Sequence, residues 1–337
     1  MKYDHILLAH GGGGLLTNEL IREIFLPSLS NPLLAPLEDG AILEIGQERL
    51  CFTTDSYVVH PLFFPGGNIG SLAVHGTVND LSMCGGTPLY LSAGFILEEG
   101  FPLADLRKII HSMAEAAKEA QVRIVTGDTK VVPRGAADGV FINTAGVGVI
   151  RYPFPVSTAS IKEGDVIILN GSIGDHGSAL VNAREHFGFA GDLCSDSAPL
   201  NHLVAAVLAV TDSVHAMRDC TRGGLGTILA EMAEQSGMIM EVEEMTIPVR
   251  EPVRGFCEVL GLDPLFLANE GKMVLFCAEE DGQKVLEAMR TSLYGKEAVI
   301  IGHVREASPR GRVIMSNALG GLREITIPAG ELLPRIC

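Results

Sequence analysis

The sequence predicts two α/β domains in tandem, and three observations carry that prediction. The chain has 337 residues, about twice the ~150 that one core usually serves. Runs rich in β-branched residues alternate with stretches of helical apolar spacing through both halves. Between the halves, Pro153, Pro155 and the polar run at residues 157–160 interrupt all periodicity, which sets a domain boundary near residues 151–163.

Taken in order, residues 11–14 are four consecutive glycines, and residues 15–25 carry apolar side chains at helix-like spacing. Two strand-like runs follow at Ala41–Ile45 and at 50–54, then a helical stretch at 68–83 that stops at Gly85 and Gly86. A strand at 89–97 precedes a helix whose Leu106, Ile109, Ile110, Met113, Ala117 and Ala120 share a face; strands at 122–126 and Val140–Ile150 complete the first unit. The second unit opens with a strand at Asp165–Leu169. It continues through helices near 175–187, 199–211, 223–236 and 282–293, and strands near 238–242, 273–277, 298–304 and 322–327. This gives an N-terminal segment 1–40, a first domain 41–152, a second domain 160–327 and an aperiodic tail 328–337.

Composition excludes several classes of function. With 47% hydrophobic and 20% charged residues, the chain has apolar surface enough for packed cores. The net charge of −16 and the absence of any Lys/Arg run argue against nucleic acid as a partner. No apolar run approaches the ~20 residues that span a bilayer, and no signal-peptide pattern opens the chain, so no membrane association and a cytoplasmic location are expected. The seven cysteines are widely spread and form no C-x-x-C pair, which encodes neither a disulfide framework nor a zinc knuckle. Six read as small buried hydrophobes; Cys337, the last residue, does not.

An acidic protein that binds an anionic ligand needs a cation or a nest of N–H groups. Four acidic segments supply candidates for the cation: Thr53-Thr54-Asp55-Ser56, Val78-Asn79-Asp80, Gly127-Asp128-Thr129-Lys130 and the run from Arg218 to Gly224 that contains Asp219 and Thr221. Taken singly, Asp55 and Asp128 also fit ordinary turn residues, and Asp219 a helix cap. Taken together they fit Mg²⁺, a hard ion that prefers a few carboxylates plus phosphate oxygens. Gly223 and Gly224 would bare N–H groups where a helix begins, a usual place for phosphate. The P-loop pattern and the G-x-S-x-G elbow are both missing from the sequence. Lys130 or Lys272 could neutralise charge on a transferred phosphoryl group, and Glu270 could serve as a base if burial lifted its pKa. His75 shares a helical face with Asn79.

These motifs occur in an order that resembles the HypE family of hydrogenase maturation proteins. That family lies within the ATP-binding superfamily of aminoimidazole ribonucleotide synthetase (PurM), selenophosphate synthetase and thiamin-monophosphate kinase. The resemblance spans nearly the whole chain: HGGGG at 10–14, TTDS at 53–56, PLFFPGGNIG at 61–70, HGTVNDLSMCGGTPLYLSAGFILEEG at 75–100, VTGDTKVV at 125–132, DCTRGGLGT at 219–227, ANEGK at 268–272 and PRIC at 334–337. The PRIC ending is particular to the HypE family, whereas the acidic segments belong to the wider superfamily. Cys220 stands where the family pattern leads us to expect proline or alanine.

The resemblance implies a PurM-like two-domain α/β (α+β) fold with a flexible tail, a homodimer whose N-terminal domains close a barrel, and ATP with Mg²⁺ near that barrel. It implies that the terminal cysteine is carbamoylated by HypF and that the enzyme dehydrates the S-carboxamide to a thiocyanate. The cyano group would then pass to iron held by HypC and HypD, for [NiFe] hydrogenase. Carried over residue by residue, Asp55, Asp80 and Asp128 would bind magnesium and nucleotide, with Asp219 a further ligand. Asn79, Thr129 and Thr221 would touch phosphate or metal, and Gly11, Gly12, Gly13 and Gly14 would close over the nucleotide. Lys130 and Glu270 would face the carboxamide carried on Cys337. Two alternatives remain at this point: a superfamily kinase or synthetase with a free substrate, and a non-catalytic ATP-binding scaffold that offers Cys337.

Overall fold

Along residues 48–57 the side chains alternate between two faces: Cys51, Thr53, Asp55 and Tyr57 turn inward while Phe52, Thr54 and Ser56 are exposed. One strand thus carries core residues and site residues on the same face. In the computed structural model, which describes residues 4–189, 192–328, 333 and 335–337, this strand belongs to the first of two mixed sheets.

The N-terminal segment holds short helices α1 (Leu15–Leu20) and α2 (Leu26–Leu29), joined by a π-turn at Ile21–Phe25. The first domain follows with β1 (Ala41–Ile45), β2 (Glu48–Tyr57), the small hairpin β3 (Phe63–Phe64) and β4 (Gly67–Asn68), α3 (Ile69–Met83), β5 (Gly86–Glu98), α4 (Leu103–Glu119), β6 (Arg123–Val132) and β7 (Val140–Ile150). Its sheet runs β1-β2-β7-β5-β6, antiparallel except for the parallel β5–β6 pair at its edge. Asn68 caps α3 by accepting from Gly70 N–H, and every residue of α3 except Asp80 is buried. The helix lies across β2, β5 and β7 and leaves the opposite face of the sheet bare, with Phe52, Tyr90 and Ile96 exposed on it.

The second domain contains β8 (Asp165–Leu169), α5 (Asp175–Glu185), α6 (Asn201–Leu208), β9 (Val214–Asp219), α7 (Gly224–Ser236), β10 (Met238–Glu243), α8 (Glu251–Leu260), β11 (Met273–Ala278), α9 (Glu279–Thr291), β12 (Val299–Ala307), β13 (Arg312–Ser316) and β14 (Leu322–Ile325). Its sheet, β14-β13-β10-β12-β8-β11-β9, is covered on both faces. One core packs Leu225, Leu229 and Met232 of α7 on Ile167, Val274 and Phe276, and the other packs α6 and α9 on Ile168, Leu275 and Cys277. Continuous burial of β8 follows, and explains its unbroken apolar sequence. No helix among the described residues is long and apolar enough to cross a membrane.

Several expectations need correction. The segments with Asp55 and Asp128 lie inside strands rather than in turns after them. The ladders continue past the apolar runs, with Tyr57 opposite Ile142 and Val132 opposite Glu98. The 15–25 helix is interrupted by the π-turn. Strands β9 and β13 and helix α8 lie in stretches to which the sequence assigned no element.

The tail is described at Pro328, Leu333 and residues 335–337; residues 329–332 and 334, half of the expected flexible segment, lie outside the described residues. Val58 N–H donates to Cys337 O (3.0 Å), His60 N–H to Arg335 O (3.3 Å), and Arg335 Nε to Val58 O (2.9 Å). Residues 335–337 therefore run antiparallel to 58–60. Ile336 and Cys337 join the first core, beside Leu180 and Ala268 of the second domain.

Candidate active site

The site forms where the end of α3, strand β2, the β9–α7 turn and the loop before β11 converge. Carboxylate oxygens of Asp39, Asp80 and Asp219 all lie within 4.8 Å of one another. They line a cavity of about 270 Å³ together with Asp55, Thr221, Arg222, Glu270 and the Cys337 thiol, among others. An adjoining cavity of about 530 Å³ shares Asp39, Thr53, Arg218 and Arg222, so the combined space falls in the range that binds drug-sized ligands.

Each acid arrives by a different local route. Asp80 is on the last turn of α3, and Thr53 Oγ1 lies 3.0 Å from its carboxylate. Asp219 ends β9, ahead of Gly223 and Gly224, which have φ of +78° and +64°. A side chain at Gly224 would also meet Leu267 O at 2.5 Å, so only glycine makes this turn. Asp39, ahead of β1, is held by Arg218 Nε at 2.6 Å. Burial, joined by neighbouring carboxylates, pushes the Asp80 and Asp219 carboxyls well above the usual range and Asp39 up to about 6. Arg218 works against this shift at Asp39 and Asp219.

Glu270 is buried, and its Oε1 has no hydrogen-bond partner among the described residues. Burial raises its pKa well above the usual carboxyl value, Asp219 and Asp55 add to the rise, and Arg222 opposes it. The Cys337 thiol is likewise raised by burial, against the pull of Arg222. Arg222 also donates to Gly11 O (3.2 Å), and its Cβ would lie 2.9 Å from a side chain at Gly13, whose φ is +80°. The glycine run thus packs on the same arginine that faces the thiol. Thr17 Oγ1 accepts from Gly13 N–H and Gly14 caps α1, while Gly12 and Gly14 line a narrow cleft with Gly223, Leu333 and Ile336.

A strap at residues 195–200 ties these parts together. Asn79 donates from Nδ2 to Ala198 O (3.1 Å) and Glu270 O (3.4 Å) and accepts from Leu200 N–H (2.8 Å). Ser197 Oγ bonds His75 Nδ1 (3.0 Å), and burial lowers His75 to a pKa of about 4. Asp196 accepts from Glu270 N–H and pairs with Lys272 Nζ at 3.0 Å.

Of the residues singled out from sequence, Asp55, Asp80, Asp219, Thr221, Glu270 and Cys337 meet at this cavity, and Gly13 lines it. Asn79 has a different task from the phosphate or metal contact expected of it: its amide is occupied by the strap. Asp128, Thr129 and Lys130 are exposed on β6, and Lys130 Nζ binds the Asp128 carboxylate at 2.5 Å and 2.7 Å. Within one chain they do not line the cavity, because β6 is a sheet edge. Lys272 holds the strap through Asp196. Cys220 is fully buried. Sequence reasoning missed Asp39, Arg218 and Arg222. Both arginines flank Asp219 in the same short run, which was the available signal; Asp39 gave none.

The donor set fits a hard divalent cation: three crowded carboxylates whose ionised forms repel one another, with Glu270, whose Oε1 has no hydrogen-bond partner among the described residues, lining the same cavity. Arg218 and Arg222 suit a polyphosphate.

Comparison with known proteins places the chain among relatives of one kind. Residues 37–150 match the family described as AIR synthase related protein, N-terminal domain, and residues 162–314 match its C-terminal counterpart. The chain is 53% identical over 337 residues to the carbamoyl dehydratase HypE of Azotobacter vinelandii, covering 100% of this chain and 98% of that protein. A solved structure of HypE in complex with ATP has 48% identity and a TM-score of 0.84, covering 99% of this chain and 100% of that one. A HypE–HypF complex has 46% identity and a TM-score of 0.87, covering 92% of this chain and 99% of that one.

Proposed function

This chain belongs to the HypE family of carbamoyl dehydratases, and from that premise we propose that it dehydrates a carboxamide carried on its own Cys337 to a thiocyanate, at the expense of ATP. The observation that carries this reading is the Cys337 thiol lining the same cavity as Asp55, Asp80, Asp219 and Glu270. A free-substrate kinase has no use for a tail residue inside its acidic pocket.

In balanced form, the S-carboxamide oxygen takes the γ-phosphoryl group of ATP, releasing ADP and one proton. The C–O bond then breaks with loss of phosphate and the second N–H proton, leaving S–C≡N. The oxygen that would have left as water departs in phosphate, a far better leaving group. Mg²⁺, held by Asp39, Asp80 and Asp219 with Asp55 beside them, would supply charge neutralisation on the phosphates. The chain's own groups do the rest. Arg222 faces the developing negative charge and bridges to the glycine loop. Glu270, which holds a proton more firmly than an ordinary carboxyl, is as carboxylate a correspondingly stronger base for the N–H protons, and Arg222 favours its ionised form.

Loading of the tail belongs elsewhere. A thiolate is the nucleophile in any carbamoyl transfer, and burial keeps the docked Cys337 thiol neutral. Carbamoylation by HypF therefore takes place with the tail undocked. HypF as partner is supported by the solved HypE–HypF complex of a relative; HypC and HypD as acceptors of the cyano group, and a cytoplasmic setting, complete the reading. The second domain's sheet is covered, whereas the first domain's sheet leaves a bare apolar face and the edge strand β6. A second copy there, as a homodimer, would cover both and bring Asp128, Thr129 and Lys130 toward a partner's cavity.

The test is the mass of the C-terminal peptide after incubation with HypF, carbamoyl phosphate and ATP, in the wild type and in Asp80→Asn. The expected result is a carbamoyl adduct on Cys337 that loses the mass of one water in the wild type only. Phosphorylation of a free small molecule with an unmodified peptide would overturn the proposal.

A further inference from the structure

His176 is absorbed by none of the steps above, yet it is fully buried and touches the tail. It sits in the first turn of α5, edge-on to the Phe64 ring at 5.5 Å between centroids. Its Nε2 lies 2.8 Å from Ile336 O and its Nδ1 2.7 Å from Ser195 Oγ. A carbonyl can only accept, so the proton is on Nε2 and Nδ1 accepts from the serine hydroxyl. Ser195 is held for this: its N–H donates to Pro65 O (2.8 Å), and its Oγ accepts from Ser197 N–H (3.1 Å). Burial favours the neutral imidazole that this arrangement requires. From the same helix, Arg184 donates to the preceding tail carbonyl, Arg335 O, at 2.8 Å.

We propose that His176 is a positioning residue that latches the tail in its docked pose through the Ile336 carbonyl, one residue from the reacting sulfur. Because the latch grips backbone, it is indifferent to whether Cys337 carries a free thiol, a carboxamide or a thiocyanate. It sets the docked fraction equally for all three, and leaves the direction of exchange to the group on sulfur and to the partner. The proposal takes its meaning from the tail being the substrate arm, but its test requires no carbamoylation.

The full-length protein is treated with iodoacetamide under native conditions and the Cys337 peptide is followed by mass spectrometry, with the buried Cys51 and Cys220 as reporters of global unfolding. His176→Phe keeps the ring and loses the donor, leaving a buried carbonyl unpaired; Cys337 alkylation should rise roughly tenfold while Cys51 and Cys220 stay protected. His176→Gln, which restores an N–H donor, should return the rate to within about threefold of wild type. Should His176→Phe fail to fold, Ser195→Ala provides the second reading: with nothing to donate to Nδ1, the Nε2–H tautomer is weakened, and a rise of about threefold is expected. Unchanged Cys337 alkylation in the folded variants, or a rise that glutamine does not reverse, overturns the latch. If the latch fails while the wild-type tail still loses water, only the latch is wrong; if it holds and no adduct loses water, only the reaction is.

Discussion

Asp80 and Asp219 of the buried cluster and Asp128 of the exposed strand β6 all stand out in the sequence as carboxylates beside apolar residues, and they end in opposite environments. Asp80 and Asp219 are crowded by other carboxylates and raised in pKa. Asp128 is solvated and lowered, chiefly by its hydrogen bond from Lys130. The first arrangement stores repulsion that a cation can relieve; the second has satisfied its charge with a neighbour two residues away. A carboxylate motif therefore announces chemistry only once its neighbours across space are known.

The largest effect expected from this difference is at Asp80. Asp80→Asn should lower dehydration of the carbamoylated tail by roughly a hundredfold or more, and it should raise the melting temperature of the ligand-free protein by about 2 °C because it removes a crowded charge. A loss of stability instead would mean the cluster is not repulsive. Next in size is a test that can break the comparison. If β6 completes the site of a second copy in the proposed homodimer, Lys130→Ala and Asp80→Asn, each inactive alone, should regain about a quarter of wild-type dehydration when mixed and allowed to exchange subunits, since half the dimers would be mixed and each would have one intact site. No recovery would leave β6 outside the chemistry.

His75 supplies a buried control close to Asp80. Its folded pKa of about 4 lies below the unfolded value near 6.5. The stability it contributes is present above pH 6.5 and is lost as pH falls toward 4, about 3 kcal/mol in all. Denaturant titrations of the wild type at pH 7 and pH 4.5 should therefore differ more than those of His75→Gln. The smallest effect is expected on β6 itself, where Lys130→Ala should leave the melting temperature of the dilute single chain unchanged.

Much of this was legible in the sequence, for stateable reasons. Asp80 stands out because it interrupts an apolar helix, and α3 itself was marked by Asn68 at its start and Gly85 at its end. Val140–Ile150 and Asp165–Leu169 read directly as strands because their ladders end where the apolar pattern ends. Strand β9 was hidden because its alternation, Val214, Ala216 and then Arg218, mixes core with site residues, and the same mixing concealed Arg218 as a ligand of Asp39. Helix α8 has Pro252 in its first turn and Gly255 in its interior, so its ten residues offer little helix propensity to mark it in the sequence. Asp39 reaches the cluster by tertiary folding alone. The tail's ending was the most specific motif in the chain, yet nothing local could foretell the pairing with residues 58–60 that carries it inward.

The strap at 195–200 has a mechanical consequence. It is bonded to the first domain through Pro65, His75 and Asn79, and to the second through Glu270 and Lys272, while Asn201 just beyond it grips Ala120. A rivet with so many fastenings on both sides leaves the two domains little freedom to swing apart like jaws. The cavity between them is held at a nearly fixed width by the strap, so its size is set by the protein's own fastenings rather than by what enters it.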